Sequence, residues 1–165
     1  MKFRKPNRNE TGLINECTAH FKGHFETDKF SLFVDKFNKV FIYNGTPANL
    51  NLADLRMLSI GLNIGKPDKN IFVPTREFAD LINPADNIFE IENQEDALNF
   101  MKGWDIYYGT KAESGKERYK IYTEKKINFE ENTLLVIMSK GMVLGIGKFM
   151  TGKIINKISK REKLH

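Results

Sequence analysis

The strongest constraint on the fold is a pair of apolar segments joined by three turn residues, SKG. The segments are TLLVIM at 133–138 and MVLGIGKF at 142–149. Short runs rich in β-branched and other apolar residues, separated by turn-forming residues, predict a β-hairpin. Gly145 and Gly147 are two residues apart, so both lie on one face of the second strand. Glycines there predict either sharp strand curvature or a surface kept clear for a ligand backbone.

The same segment, GMVLGIGKF at 141–149, shares some features with a phosphate-binding loop. The Walker pattern needs a glycine, four residues and then Gly-Lys followed by Ser or Thr. Here five residues separate Gly141 from Gly147, and Phe149 stands where a hydroxyl should hold magnesium. The spacing therefore favours a strand over a nucleotide site.

Further elements lie on both sides of an expected domain boundary at Pro84. Before it, the pattern predicts helices at 10–25, 52–61 and 75–82, and strands at 30–36, 39–45 and 71–74. After it, one helix at 94–102 accompanies strands at 88–92, 104–109, 119–124, 133–138, 142–149 and 153–158. Gly61 and Gly65 are expected to end the second helix, and Thr75 to cap the third.

These elements predict an α+β fold with two domains. Residues 1–84 are expected to form a mixed α/β domain with antiparallel strands. Residues 85–165 are expected to form a small β-barrel, because closely spaced short strands with glycine turns are typical of barrels.

Composition limits the function classes. The 165 residues are 41% hydrophobic, which is enough for a packed core, and the net charge of +5 weakly favours an anionic partner such as nucleic acid. Charge that serves only solubility explains this value equally well. A single cysteine fits a reducing compartment, and no segment approaches 18 apolar residues. We therefore expect a cytoplasmic protein with no membrane partner.

No constellation of residues indicates catalysis, and we expect neither an enzyme nor a cofactor. Cys17, His20 and His24 are spaced so that one helix face presents all three to a metal. However, Gly23 interrupts that helix, and no fourth ligand lies nearby in sequence. A buried cysteine beside surface histidines is the favoured interpretation, and no metal site is expected.

The distribution of charge favours the C-terminal region as an RNA-binding surface. Five acids and no base lie between Asp86 and Asp96, whereas seven Lys and Arg residues accompany only Glu162 between 139 and 165. Lys148, Lys153 and Lys157 come from adjacent predicted strands, so they are expected to form one phosphate-binding patch. The patch is expected to extend to Lys140, Lys160 and Arg161. A solvated tail is the alternative for 160–163.

Aromatic residues beside this patch are candidates for stacking on RNA bases. Trp104 and Tyr107 differ in strand parity, so one of them faces inward, and a core role is expected for Trp104. Tyr108 is the preferred stacking residue, although it shares the parity of Trp104 and needs strand curvature to expose it. A second basic cluster lies near the N-terminus and consists of Lys2, Arg4, Lys5 and Arg8.

The second half resembles a PUA domain, a small RNA-binding pseudo-barrel. The resemblance is carried by IFEIENQEDALNFMKGWDIYYGT and by TLLVIMSKGMVLGIGKF. The order of a strand, a helix, a strand bounded by glycines and a late hairpin reading LGIGK is the PUA order.

The first half resembles the N-terminal domain of the Nip-seven family of ribosome biogenesis factors, over KVFIYNGTPANLNLADLRMLSIGLNIGKPDKNIFVPTREFADLINP. The resemblance implies a non-catalytic adaptor in large-subunit rRNA maturation. It also implies RNA bound by PUA, and a protein partner such as an rRNA methyltransferase or maturation factor. A shorter C-terminus than in eukaryotic relatives favours an archaeal-type member; a eukaryotic one would be nucleolar. The alternatives are an RNA-targeting PUA subunit of a tRNA or rRNA modification complex and an RNA-modifying enzyme.

Overall fold

The computed structural model describes residues 3–26, 29–44, 61–109, 120–158 and 163. They belong to two compact units, Met1–Pro84 and Ala85–His165. The predicted α+β class is confirmed, with helices and two separate sheets. The helix expected at 52–61 lies outside the described residues, except for Gly61. No helix in the described ranges is both long enough and apolar enough to cross a bilayer.

The described part of the first unit contains a four-stranded antiparallel sheet and two helices. Its elements are α1 (Arg8–His20), β1 (Ser31–Val34), β2 (Val40–Tyr43), β3 (Leu62–Asp68), β4 (Ile71–Pro74) and α2 (Arg76–Ile82). The strands follow one another across the sheet in the order β1-β2-β3-β4. Helix α1 packs on β4, and α2 packs on β3. The predicted cap of α2 is present, because Thr75 Oγ1 accepts a hydrogen bond from the Phe78 N–H at 3.3 Å.

Strand β3 is a strand where the sequence predicted only glycine punctuation after a helix. The local sequence does not indicate this strand, because it contains Gly65 and Pro67, and both residue types are rare inside strands. Gly65 has a φ of +145° and lies where the β2–β3 register shifts. Pro67 lies beyond the last residue that β3 pairs with β2, so it faces only β4. A proline is tolerated there because no β2 carbonyl needs its missing N–H.

A hydrogen-bond network at the start of α1 joins the N-terminal segment to α1 and β1. Asn7 and Glu10 form a capping box, in which each side chain accepts the other's backbone N–H. Arg4 donates two hydrogen bonds to the Glu10 carboxylate, at 2.7 and 2.6 Å. The Arg4 backbone also exchanges two hydrogen bonds with Val34 in β1. The hydrogen bonds from Arg4 and Asn7 lower the pKa of Glu10 below its usual value.

We predict that Glu10→Gln destabilises the first unit by about 1–2 kcal/mol at neutral pH, because it removes charge-assisted hydrogen bonds. Since the folded pKa of Glu10 is lowered, its stabilisation is present above the unfolded pKa of about 4.3 and disappears as pH falls through the folded pKa. Urea unfolding between pH 3 and 7 measures the difference. Glu16→Gln, an exposed residue on the same helix, is the control. A Glu10→Gln deficit that persists undiminished at pH 3 would contradict this account.

Among the described residues of the second unit, a six-stranded curled sheet accompanies one helix. Its elements are β5 (Ile88–Glu90), α3 (Gln94–Met101), β6 (Asp105–Tyr108), β7 (Lys120–Thr123), β8 (Leu134–Ser139), β9 (Met142–Met150) and β10 (Lys153–Asn156). The strand order is β5-β8-β9-β10-β6-β7, and the curled sheet forms a half-barrel. Pairs β5–β8 and β6–β7 are parallel, and the other pairs are antiparallel. The predicted hairpin of β8 and β9 is present.

The inner face of this sheet holds the core of the second unit, and β9 crosses its middle. Buried apolar residues from every strand meet Phe100 of α3. Gly145 and Gly147 both face this core. A Cβ on Gly147 would lie 2.4 Å from Ile154 Cγ2, and one on Gly145 would lie 2.6 Å from Ile158 Cγ1. The glycines therefore make room for isoleucine side chains, and the alternative of a surface kept clear for a ligand backbone is wrong.

Gly147→Ala is predicted to lower the stability of the second unit by about 1–3 kcal/mol, because its methyl group has no space beside Ile154. Gly12→Ala in α1 is the matched change. No atom lies within 4 Å of that Cβ position, so it should stabilise by about 0.5–1 kcal/mol through helix propensity. Denaturant unfolding of both variants gives the comparison. Equal stability of Gly147→Ala and the original chain would show that the core has room at β9.

Candidate nucleic-acid interface

Strand alternation separates the core of the second unit from a basic surface. In β9, Phe149 and Gly147 face the core, so Lys148 between them lies on the opposite face. In β10, Ile154 is fully buried, so Lys153 also lies on that opposite face. We call the side of this sheet turned away from the core the outer face. The segment that shares features with a phosphate-binding loop is thus a continuous strand that presents one lysine outward.

One row of paired residues crosses four strands on the outer face. Lys153 pairs with Met150 of β9 on one side and with Tyr107 of β6 on the other. Tyr107 in turn pairs with Tyr122 of β7. Directly paired residues have neighbouring side chains. The fold therefore brings a lysine and two tyrosines together from three strands that are far apart in sequence.

The ring of Tyr107 is at the centre of this row. Lys120 Nζ lies over it at 4.4 Å from the ring centroid, and Lys153 Nζ lies at 5.3 Å. Lys153 Nζ also donates a hydrogen bond of 3.4 Å to the Tyr107 hydroxyl. The rings of Tyr107 and Tyr122 are 6.0 Å apart and tilted by 37°. We call these four residues the Tyr107 cluster.

The hydroxyl groups of the two tyrosines of the cluster differ in their contacts. The Tyr122 hydroxyl oxygen is buried and has no hydrogen-bond partner among the described residues. Tyr107 is partly buried, and its hydroxyl already contacts a lysine. Burying a hydroxyl without a partner costs free energy. The Tyr107 hydroxyl therefore has a partner, and the Tyr107 ring has two cations beside it.

Asn156 fixes the end of the strand that carries Lys153. Its amide nitrogen donates to the carbonyl oxygens of Phe100 and Trp104, at 2.6 and 3.3 Å. Its backbone N–H donates to Asp105 Oδ1 at 2.8 Å, and its side-chain oxygen accepts from the Ile158 N–H. A residue with these four hydrogen bonds has little freedom. Strands β10 and β6 are consequently held in one register, and Lys153 stays beside Tyr107.

The three central lysines of the predicted patch lie on β9, on β10 and directly after β10. Lys148 pairs with Ile155, which is two residues from Lys153, so the two lysines are diagonal neighbours about 7–8 Å apart. Lys157 is exposed and follows β10, with its backbone N–H bonded to the Ile146 carbonyl. The structure therefore supplies cations along one side of β9 and β10.

The remaining residues of the predicted patch are Lys140, Lys160 and Arg161. Lys140 lies in the β8–β9 turn with a φ of +49°. At about 3.3 Å per residue, the strand separates it from Lys148 by roughly 20 Å or more. The structure does not place Lys140 with the other lysines. Lys160 and Arg161 lie outside the described residues.

Tyr107 takes the position that sequence reasoning gave to Tyr108. Tyr108 is 58% exposed, but it has the strand parity of Ile106, which is fully buried. Alternation therefore places Tyr108 on the other side of the sheet from the lysines. Trp104 packs against the core, as expected. The sequence does contain a signal that identifies Tyr107, because its strand parity is opposite to that of Trp104.

Two adjoining clefts beside β7 have the opposite charge. Their volumes are about 320 and 360 Å³, and they share Asp96, Tyr122 and Glu124 in their walls. Most charged groups that line them are acids, namely Glu90, Glu92, Glu95, Asp96 and Glu124, against Lys120 and Lys125. These walls carry more acids than bases, so they repel phosphate, although Lys120 and Tyr122 of the Tyr107 cluster line one of the two clefts.

The cysteine and histidine residues of the first unit do not form a site. Cys17 is buried, and burial raises the pKa of its thiol to about 12, so it stays protonated and unreactive. His24 is exposed and contacts Glu26 at 2.9 Å. Over the described ranges, no three His, Cys, Asp or Glu side chains are grouped closely enough to hold a metal.

The N-terminal basic cluster is only partly available for a ligand. Arg4, Lys5 and Arg8 are all exposed, but Arg4 donates two hydrogen bonds to the Glu10 carboxylate. Lys2 lies outside the described residues. The outer face of the second unit is therefore the stronger candidate for an anionic ligand.

Comparison with known proteins adds no assignment. No protein-family model matches the chain, and no curated protein matches it.

Proposed function

We propose that this protein is a non-enzymatic RNA-binding adaptor of the Nip-seven type that acts in large-subunit rRNA maturation. The second unit would correspond to the PUA domain and hold RNA on its outer face. The observation that carries the proposal is the meeting of Tyr107 with Lys120 and Lys153, beside Lys148. The resemblance of both halves to the two domains of this family, in the same order, supports the ribosomal role.

The chemistry of the outer face suits single-stranded or looped RNA. Lysines along β9 and β10 provide mobile cations for phosphates, and each contact releases counterions and gains affinity. An aromatic ring among those cations provides a stacking surface for a base. A single-stranded RNA that lies along this face would therefore make phosphate contacts and a stacking contact at the same time.

The first unit is proposed to bind the protein partner, an rRNA methyltransferase or another maturation factor. The family resemblance supports this division of roles, and the proposed compartment is the cytoplasm, or the nucleolus in a eukaryote. Copurification with pre-ribosomal particles is expected. Copurification with a tRNA- or rRNA-modifying complex instead, without those particles, would favour a role as its targeting subunit. Repeated turnover of an RNA base by the pure protein would contradict the adaptor role.

Replacing Lys148, Lys153 and Lys157 with glutamine should weaken binding to a short single-stranded RNA. The slope of log affinity against log salt should become shallower by up to roughly 0.7 for each phosphate that the variant no longer neutralises. The weakening should be similar for different RNA sequences, because phosphate contacts position a strand without reading it. Fluorescence anisotropy at several salt concentrations measures both quantities.

The matched control replaces Lys102, Lys125 and Lys126, three exposed lysines of the same unit, with glutamine. It removes the same charge, so a general electrostatic effect would appear equally in both triple variants. A second control, Lys5 and Arg8 to glutamine, tests the N-terminal cluster. If either control weakens binding while the outer-face triple does not, RNA binds elsewhere.

A further inference from the structure

We propose that Tyr107 is a stacking platform for one unpaired nucleotide, and that Lys120 and Lys153 cover it until RNA arrives. When a base stacks on the ring, the ammonium groups move to the neighbouring phosphates. This inference rests on the proposed function and names the ligand of the site as an unpaired nucleotide with its flanking phosphates.

The geometry of the Tyr107 cluster supports an interchange between cation and base. Both ammonium groups lie within the roughly 6 Å at which a cation is attracted to an aromatic face. Each is at the end of a flexible lysine side chain, and the two lysines come from the strands on either side of β6. A lysine that leaves the ring therefore remains within reach of a phosphate next to the stacked base.

The relative energies favour the exchange. A partly exposed cation–π contact strengthens binding roughly 2- to 5-fold, and the exchange displaces two such contacts. A base stacked on an aromatic side chain strengthens binding roughly 5- to 100-fold. Each displaced ammonium also binds a phosphate, so the stacking and the phosphate contacts together offset the two contacts that are lost.

The surroundings limit the platform to one base and to unpaired RNA. The neighbouring ring, Tyr122, is tilted by 37° from Tyr107 and its hydroxyl is buried, so the two rings do not offer a continuous flat surface. A base inside a duplex has both faces covered by its neighbours. Only a nucleotide in a single strand, loop or bulge presents a face to Tyr107.

The experiment compares two ligands that differ only in their bases. The full chain is titrated with an unstructured RNA of about eight nucleotides and with a ribose-phosphate chain of equal length that lacks bases. The wild-type chain should bind the RNA roughly 5- to 100-fold more tightly than the chain without bases. Tyr107→Leu should lose this preference and keep its affinity for the chain without bases.

Two control variants separate the ring from other effects. Tyr107→Phe keeps the ring and should keep the preference, although it removes the hydroxyl that Lys153 contacts. Tyr108→Leu changes the adjacent, more exposed tyrosine and should also keep the preference. If Tyr107→Leu does not fold, photocrosslinking of 5-iodouridine RNA to the wild-type chain decides. A crosslink at Tyr107 supports the platform, and crosslinks only at other residues overturn it.

The outcomes distinguish this inference from the proposed function. Binding of both ligands with equal affinity would leave RNA binding in place and overturn the stacking platform. Loss of the base preference in Tyr108→Leu, with the preference kept in Tyr107→Leu, would also overturn it. Failure of the wild-type chain to bind either ligand would overturn the proposed function together with the platform.

Discussion

The second unit depends on the space left by two missing side chains in β9. Gly145 and Gly147 leave the volume that Ile158 and Ile154 occupy inside the curled sheet. Because β9 pairs with β8 on one side and β10 on the other, the close packing of these isoleucines joins three strands to one core. The same alternation that directs the glycines inward directs Lys148 outward. The alternation of side chains along β9 thus determines both the packing of the core and the position of Lys148 on the basic surface.

The sequence predicted the elements whose local signals agree with their final environment. The β8–β9 hairpin, with its apolar runs and its turn, is an example, and so is α2 with its Thr75 cap. Strand β3 was missed because Gly65 and Pro67 carry the signal of a turn. Only pairing with β4, and the end of pairing with β2 before Pro67, makes a strand possible there. Pairing between strands is a tertiary effect, so the local sequence pattern does not reveal it.

The candidate site was predictable in its charge and only partly in its geometry. Lys148 and Lys153 lie on one face because their strands are neighbours and their parity is readable. The Tyr107 cluster depends on the order β10-β6-β7, which places residues 107, 120 and 153 together. No local pattern contains that order, since β6 and β7 are parallel and β10 comes from the far end of the chain. Tyr108 was preferred for stacking although it shares the parity of Trp104, and that parity excludes it from the outer face.

The central claim is that RNA lies on the part of the outer face of the second unit that carries Lys148, Lys153 and Tyr107. An NMR titration of the isotopically labelled full chain with a short single-stranded RNA tests it most directly. We predict that the largest shift changes fall on Lys148, Lys153, Lys157 and Tyr107, with small changes at Glu90, Glu92 and Glu124 and at α1. Shift changes centred on the first unit, or on the acidic residues Glu90, Glu92 and Glu124, would contradict the claim.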